Sequence, residues 1–178
     1  MCFTFLTASG AEVGRSLVDR DHVDDVRTLL SEAGDTLLLP TDVVVAEGPD
    51  ASSATTCPAR EIPRDAMGLD IGPDTAEEFA DAIRGARTVF WNGPMGVFEN
   101  PVFASGTRRT AEAVAACVGR TVTGGGDTAA ALAAFGLDEQ IDFLSTGGGA
   151  SLEFLEGKTL PGLAALRDAR PATSEEGS

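Results

Sequence analysis

The sequence has 178 residues, 43% of them hydrophobic, which is enough for one domain with a real hydrophobic core. Thirteen basic residues against 28 acidic ones give a net charge of −15, which argues against nucleic-acid and anionic-membrane partners. Lys158 is the one lysine. An acidic, lysine-poor surface is also favoured in a salt-rich cytosol, and we hold this as a hypothesis because acidity equally serves ordinary solubility.

The first ten residues and the cysteines indicate the compartment. Residues 1–10 are apolar only briefly and lack basic residues, so we expect no signal peptide, and no apolar run is long enough to span a bilayer. Cys2, Cys57 and Cys117 are odd in number and far apart, which predicts neither a disulfide framework nor a zinc site. The prediction is a cytoplasmic protein with reduced cysteines.

The first half of the chain contains one amphipathic segment and two short aliphatic runs. Residues 21–34 carry apolar residues at helical spacing and end at Gly34, which predicts a helix. Residues 36–40 and 42–47 are aliphatic or β-branched and predict buried strands. Residues 47–66 lack periodicity and predict an exposed excursion with short extended pieces.

The second half alternates between helical and extended patterns. Residues 75–86 predict a helix with Thr75 as N-cap and with Phe79, Ala82 and Ile83 facing inward. Residues 87–93 predict a buried strand, which is followed by a helix ending at Gly119 and a strand at 121–123. The alternation then continues through a strand ending at Thr146 to a helix beginning near Ala150.

This alternation of strand and helix predicts a fold class. It is typical of an α/β protein with a Rossmann-like parallel sheet flanked by helices. The polar segment at residues 167–178 predicts a disordered tail, which leaves residues 1–166 as the domain.

Two glycine loops follow consecutive strands of the predicted sheet. TVTGGGDTAAAL occupies residues 121–132 and DFLSTGGGASLEFL residues 142–155. Parallel strands place both loops at the carboxyl edge, where α/β folds bind ligands. Triple glycines at helix N-termini expose N–H groups to an anion, so the pair could hold a polyphosphate. The alternative is that the glycines only make tight turns.

Asp127 lies where the first loop meets its helix. Asp is a preferred N-cap, but a carboxylate next to phosphates would also bind Mg²⁺ shared with phosphate oxygens. Neither loop continues to G-K-[ST], so no Walker A site is predicted. Gly124, Gly126 and Ala129 fit G-x-G-x-x-A, but the next strand ends in Ser145 and Thr146 instead of a ribose-binding acid. A nicotinamide site therefore stays as an alternative only.

A third segment, FWNGPMGVFEN at residues 90–100, leaves its strand at the same edge. Pro94, Val97 and Phe98 could form an apolar base pocket, with Glu99 accepting ribose hydroxyls. The alternative is a turn that packs Phe98 into the core. His22, the one histidine, is predicted to be a solvated surface residue, and no catalytic triad can be assembled.

These segments resemble the phosphoglycerate kinase family. The resemblance rests on VFWNGPMGVFE, GGGDTAAAL and STGGGASLEFLEGKTLPGLAAL, and on TFLTASGAEVGRSLV, LLLPTDVVVAE and MGLDIGPDT, which precede them in the family's order. It extends from Thr4 to Leu166. It implies a two-domain, typically monomeric enzyme that transfers a phosphoryl group between 1,3-bisphosphoglycerate and ADP with Mg²⁺. The present chain resembles most of its C-terminal, nucleotide-binding domain.

The resemblance also implies a role for particular residues. The adenine pocket would be lined by Leu17, Gly68 and Leu69, the nucleotide would be flanked by Asn92 and Pro94, and the ribose would be bound by Glu99. The ATP or ADP phosphates would be held by Gly125, Gly126, Asp127 and Thr128. The transferring phosphoryl group would receive N–H groups from Gly147, Gly148 and Gly149. Asp127 would also bind Mg²⁺.

The sequence departs from the family pattern at its beginning. The domain that binds phosphoglycerate and the G-G-A-K-type segment with the catalytic lysine have no counterpart here, and Met1 coincides with a methionine inside the pattern. No Lys or Arg lies in the three loops, although phosphoryl transfer needs cations. We therefore expect an N-terminally truncated chain that carries the Mg-nucleotide half-site, lacks one or two sheet strands and is inactive alone. A noncatalytic nucleotide-binding module is the alternative.

Overall fold

The computed structural model describes residues 1–145 and 147–168. Thr146 and most of the predicted tail, residues 169–178, lie outside the described residues. The helices are α1 Cys2–Ala8, α2 Val23–Ala33, α3 Pro73–Arg84, α4 Ser105–Ala115, α5 Gly126–Phe135, α6 Gly149–Leu155 and α7 Pro161–Asp168. The strands are β1 Glu12–Val13, β2 Asp42–Ala46, β3 Thr55–Pro58, β4 Glu61–Ile62, β5 Met67–Ile71, β6 Thr88–Asn92, β7 Arg120–Gly124 and β8 Phe143–Ser145.

The strands form three small sheets. β6, β7 and β8 pair in parallel in that order, which confirms the predicted parallel sheet with helices between its strands. In the first half, β2 pairs with β3 and β5 in antiparallel fashion, and β1 pairs with β4 in parallel. The α/β class is confirmed, and the first half adds antiparallel pairs that the sequence patterns did not indicate. There β2 and β3 are joined by a loop of eight residues and form a hairpin-like pair instead of a helical crossover.

The helix predicted at residues 21–34 forms as α2 and ends at Gly34, whose φ is +51°. Val26 is buried, whereas Leu29 of the predicted apolar stripe is exposed. α2 packs against α1, a short helix that the sequence patterns did not indicate. The buried face of α2 is therefore narrower than the spacing of its apolar residues predicted.

The prediction that Thr75 caps the next helix is wrong. α3 begins at Pro73 after Gly72, and Thr75 is fully buried inside its first turn. The cap comes from Asp42 of β2, whose Oδ1 accepts hydrogen bonds from the Thr75 N–H at 2.8 Å and from the Thr75 hydroxyl at 2.7 Å. A carboxylate from a distant strand thus satisfies the helix N-terminus, and no local sequence pattern reports such a partner.

The strand predicted at residues 36–40 does not form among the described residues. Residues 34–36 are a turn of 3₁₀ helix, Leu37 is extended, and no neighbouring strand pairs with this run. Leu38 is left 46% exposed. An aliphatic run becomes a strand only where a neighbour accepts its backbone hydrogen bonds.

The buried side chains form two clusters. The first lies around β1, β2 and β4 and contains Leu6, Val13, Val43, Val45, Ala59 and Ile62. The second lies between the parallel sheet and the helices α4 and α5 and contains Trp91, Ala111, Val114, Leu132 and Ile141. The second cluster supports the carboxyl ends of β6 and β7. No helix in the described ranges is both long and apolar enough to cross a membrane.

Candidate functional site

The three strands of the parallel sheet end in register. Asn92 of β6 is paired with Gly124 of β7, which is paired with Ser145 of β8. The segments that follow these residues therefore leave the sheet along one rim, as the sequence predicted. The rim consists of the first glycine loop, the second glycine loop and the segment from Gly93 to Asn100.

The first glycine loop leads directly into α5. Gly125 is the N-cap with a φ of +97°, a conformation that side chains other than glycine rarely adopt, and Gly126 is the first helical residue. No side chain caps this helix, and a Cβ placed on Gly126 would meet open space. The first N–H groups of a ten-residue helix are consequently available to an anion.

Asn92 and Thr128 hold the first loop against the neighbouring segment. The Asn92 side-chain amide donates a hydrogen bond to the Gly124 carbonyl at 2.8 Å. The fully buried Thr128 hydroxyl accepts from the Gly93 N–H at 2.8 Å and donates to the Gly124 carbonyl at 2.9 Å. Because its hydroxyl is used inside the protein, Thr128 positions the loop, and an anion at the rim would meet only its main chain.

The second glycine loop is held by fewer internal contacts than the first. Gly148 is the N-cap of α6 with a φ of +49°, and α6 has only seven residues, none of them buried. The hydroxyls of Ser145 and Ser151 lie 2.9 Å apart, and the Gly147 N–H donates to Ser145 at 3.3 Å. The predicted site residues Gly147 and Gly149 are solvent-exposed.

A cavity of about 230 Å³ lies between β5 and the segment after β6. Four residues that the sequence assigned to the base or its flanks line it together: Leu17, Gly68, Leu69 and Pro94. Ligand pockets usually measure about 300–1,000 Å³, so this cavity suits one ring of a ligand rather than a whole nucleotide. A Cβ on Gly68 would come within 2.2 Å of the Phe3 ring, so this wall tolerates no larger residue without a shift.

The sequence profile of one protein family, described as phosphoglycerate kinase, matches residues 1–158. The chain belongs to the phosphoglycerate kinase family.

Individual members of the phosphoglycerate kinase family agree with this match. The phosphoglycerate kinase of Salinispora tropica is 59% identical over 169 residues, which are 93% of this chain and 42% of that protein. The structure of phosphoglycerate kinase from Coxiella burnetii superposes with a TM-score of 0.86 at 41% identity, and that from Pyrococcus horikoshii with 0.82 at 32% identity. The superposed part is 93% of this chain and 44% or 43% of those chains. The chain therefore spans less than half the length of these relatives.

In this member of the phosphoglycerate kinase family, Asp127 does not act as a helix N-cap. The N-cap is Gly125, and the exposed Asp127 carboxylate lies in the first turn of α5 without capping it. Among the described residues no group of three or more His, Cys, Asp or Glu side chains could hold a metal ion. A cation at Asp127 would therefore need oxygen ligands from a bound molecule, which fits Mg²⁺ shared with phosphates.

The segment after β6 divides between the cavity and the core. Gly96 and Val97 line the cavity with Pro94, and the Val97 N–H donates to the Leu69 carbonyl at 2.9 Å. Phe98 does not line this cavity and makes an edge-on contact with Phe135 at 6.4 Å between ring centroids, which favours the alternative that the turn packs Phe98 inward. Glu99 is exposed and does not line the cavity.

Asp70 is a site residue that the sequence analysis missed. It is buried against the cavity, and its carboxylate accepts hydrogen bonds from the Gly106 N–H at 2.7 Å and the Ile71 N–H at 2.9 Å. Burial raises the pKa of Asp70 to about 6, although these two hydrogen bonds lower it. A Cβ on Gly96 or Gly106 would collide with the Asp70 carboxylate, at 2.4 Å in each case.

The contacts of Asp70 show how it could have been found. It joins the cavity wall on β5 to the first turn of α4 and to the segment after β6. The signal in the sequence was an acid inside the apolar run MGLDI, where an ionised group needs a buried partner.

Proposed function

We propose that this chain forms the nucleotide half-site of a phosphoglycerate kinase, which transfers a phosphoryl group between ATP and 3-phosphoglycerate. The observation that carries the proposal is the in-register ending of Asn92, Gly124 and Ser145, because it brings two glycine loops and the cavity to one rim. The family match and the three unpaired cysteines support a cytoplasmic glycolytic enzyme.

Each part of the rim has a chemical task under this proposal. The cavity walls at Leu17, Gly68, Leu69 and Pro94 would hold the adenine, and the exposed Glu99 carboxylate would accept ribose hydroxyls. The phosphates would lie at the N-terminus of α5, where Gly125 and Gly126 allow close approach of the backbone and the helix dipole favours negative charge. Asn92 would keep the first loop in place through its bond to Gly124.

Mg²⁺ would be held by the Asp127 carboxylate together with phosphate oxygens, and it would neutralise charge on those oxygens. Gly147, Gly148 and Gly149 would present backbone N–H groups to the transferring phosphoryl group from the second loop. Their role rests on the family resemblance, since the seven-residue helix behind them is exposed.

Turnover requires more than this chain supplies. The transferring phosphoryl group spreads negative charge over its oxygens and needs cations other than one metal ion. The three rim loops contain neither Lys nor Arg, and the phosphoglycerate would bind to a part of the family protein outside the matched region. We therefore propose that the complete two-part enzyme is the functional unit, with phosphoglycerate and ATP or ADP as its partners.

Titration of the chain with Mg-ADP in potassium chloride tests the half-site. Trp91 is the one tryptophan, and its indole N–H donates to the Gly93 carbonyl at 2.8 Å, so its fluorescence reports on the rim. We expect saturable binding that weakens by about tenfold or more, about 1.4 kcal/mol, in Asp127→Ala. Removing Mg²⁺ with a chelator should weaken binding by the wild-type chain and leave Asp127→Ala unchanged.

Asp74→Ala is the matched control, because Asp74 is likewise an exposed acid in the first turn of a helix, α3, and does not line the cavity. It should bind Mg-ADP as tightly as the wild-type chain. Absence of saturation by a chain that circular dichroism shows to be folded would overturn the half-site proposal.

A noncatalytic nucleotide-binding module is a second candidate, favoured by the lack of cationic residues in the rim loops. Joining this chain to the part of the Salinispora tropica relative that lies outside the matched region separates the two. A kinase should then transfer phosphate between ATP and 3-phosphoglycerate, whereas a module that evolved only to bind should bind nucleotide and show no transfer.

A further inference from the structure

The buried carboxylate of Asp70 links a wall of the 230 Å³ cavity to the helix α4. Asp70 lies on β5, lines the cavity and is only 3% exposed. Its Oδ2 accepts a hydrogen bond from the Gly106 N–H in the first turn of α4, and its Oδ1 accepts one from the Ile71 N–H. The N-cap residue of α4 is Ala104, whose side chain cannot accept a hydrogen bond. Asp70 therefore satisfies this helix N-terminus, where the helix dipole also favours a negative charge.

The next residue of α4, Thr107, extends this link to the other wall of the cavity. Its fully buried hydroxyl accepts hydrogen bonds from the Met95 N–H and the Gly96 N–H, both at 3.1 Å. Met95 and Gly96 belong to the segment after β6, which lines the cavity opposite β5. A continuous series of hydrogen-bonded groups thus connects the Asp70 carboxylate with this second wall through the first turn of α4.

Close packing adds a second contact between the same groups. A Cβ on Gly96 or on Gly106 would lie 2.4 Å from the Asp70 Oδ1, so the backbone of both segments packs directly on the carboxylate. An asparagine at position 70 would have the same shape but would lose one of the contacts. Both carboxylate oxygens accept from backbone N–H groups, and the amide NH₂ would have to face one of these donors.

We propose that Asp70 is a positioning residue for the nucleotide base, because through α4 it fixes the cavity wall at Met95 and Gly96. This inference rests on the proposed nucleotide half-site. A cavity of about 230 Å³ suits one ring of a ligand, so a small displacement of one wall should weaken binding of the base. The phosphates would lie at the N-terminus of α5, which the Asp70 carboxylate does not contact, and their binding should not depend on Asp70.

Two ligands separate this role from a purely structural one. Mg-ADP would occupy both the cavity and the N-terminus of α5, whereas Mg-pyrophosphate would occupy only the latter. Asp70→Asn should raise the Kd for Mg-ADP about tenfold and change the Kd for Mg-pyrophosphate by less than about twofold. Asp42→Asn is the matched control, because Asp42 is also a buried carboxylate that caps a distant helix, α3, but it does not line the cavity. It should leave both Kd values unchanged.

Substitutions at Thr107 test the link without changing the carboxylate. Thr107→Val keeps the shape but removes the acceptor of two N–H groups, so it should also weaken Mg-ADP binding about tenfold. Thr107→Ser keeps the hydroxyl and should bind Mg-ADP like the wild-type chain. Because the two residues act through one link, the combined variant Asp70→Asn with Thr107→Val should bind more tightly than the product of the two effects predicts. Circular dichroism checks folding, and the two Thr107 variants decide the matter if Asp70→Asn does not fold.

A measurement without nucleotide distinguishes failure of this inference from failure of the half-site. Amide hydrogen exchange at Met95 and Gly96 should be about tenfold faster in Asp70→Asn than in the wild-type chain, with exchange at Ala129 in α5 unchanged. If the wild-type chain does not bind Mg-ADP, the half-site is overturned, and exchange alone decides whether Asp70 fixes the wall. Unchanged exchange at Met95 and Gly96, equal weakening of both ligands, or an equal effect of Asp42→Asn on Mg-ADP would each overturn the role of Asp70.

Discussion

The two glycine loops share a sequence pattern but differ in what lies behind them. Each follows a parallel strand, and each places a positive-φ glycine as N-cap of a helix. Behind the first loop, α5 buries Thr128, Ala131 and Leu132, whereas α6 behind the second loop buries none of its residues. Glycines therefore set the backbone path of a loop, while buried neighbours decide how firmly the loop is held.

The largest contrast is expected between leucines of the two helices. Leu132 of α5 is fully buried and Leu155 of α6 is 61% exposed. Leu132→Ala should lower the free energy of unfolding by about 2–5 kcal/mol, because it removes buried contacts and leaves a cavity. Leu155→Ala should change it by less than about 0.5 kcal/mol. Urea denaturation of the two variants measures both values, and equal losses would remove the distinction between the loops.

The stability of the chain also depends on pH through Asp70, the buried carboxylate that accepts the Gly106 N–H in the first turn of α4. Its folded-state pKa of about 6 lies above the ordinary aspartate value of 3.8, so the folded state binds more protons between these pH values. The stability contributed by Asp70 is therefore complete below about pH 4 and decreases by about 3 kcal/mol as the pH rises through 6.

The carboxyl ¹³C shift of Asp70 should titrate with a midpoint near pH 6. Asp70→Asn, which cannot ionise, should gain stability relative to the wild-type chain as the pH rises from about 4 to 7. A midpoint near pH 4 would show that the carboxylate is more solvated than its contacts indicate.

The hydroxyl of Thr128 gives the next largest effect. Thr128→Val preserves shape but leaves the Gly93 N–H and the Gly124 carbonyl without this partner, so a loss of about 1–3 kcal/mol is expected. Ser151→Ala removes the corresponding hydroxyl behind the second loop and should cost less than about 0.5 kcal/mol. Thermal unfolding measures the loss of stability in both variants. A larger loss for Ser151→Ala would contradict the prediction that the first loop is held more firmly than the second.

The smallest effects are expected from the glycines themselves. Gly125→Ala forces a side chain into φ +97° and should destabilise the chain by about 1–2 kcal/mol. Gly149 begins α6 without a positive φ and has open space around it, so Gly149→Ala should be neutral or stabilise by up to about 1 kcal/mol. Denaturation midpoints measure both, and a stabilised Gly125→Ala would contradict the strained geometry of the first loop.

Much of the candidate site could be predicted because its parts are local. Strand-to-helix alternation indicated that the loops at Gly125 and Gly148 share a rim, and family resemblance grouped Leu17, Gly68, Leu69 and Pro94, which do line one cavity. The Thr128 hydroxyl makes internal hydrogen bonds with Gly93 and Gly124 that its sequence position did not reveal, and its contact with phosphate stays a prediction. The roles assigned to Glu99, Asp127 and the second loop remain predictions.

Residue types and short spacings predicted the family, the α/β class, the two glycine-capped helices and the lack of cations in the rim loops. Tertiary structure alone decided the antiparallel pairing of β2, the caps that Asp42 and Asp70 provide to distant helices, and the failure of residues 36–40 to form a strand. These features depend on whether a group finds a hydrogen-bond partner about ten or more residues away along the chain, which no local pattern encodes.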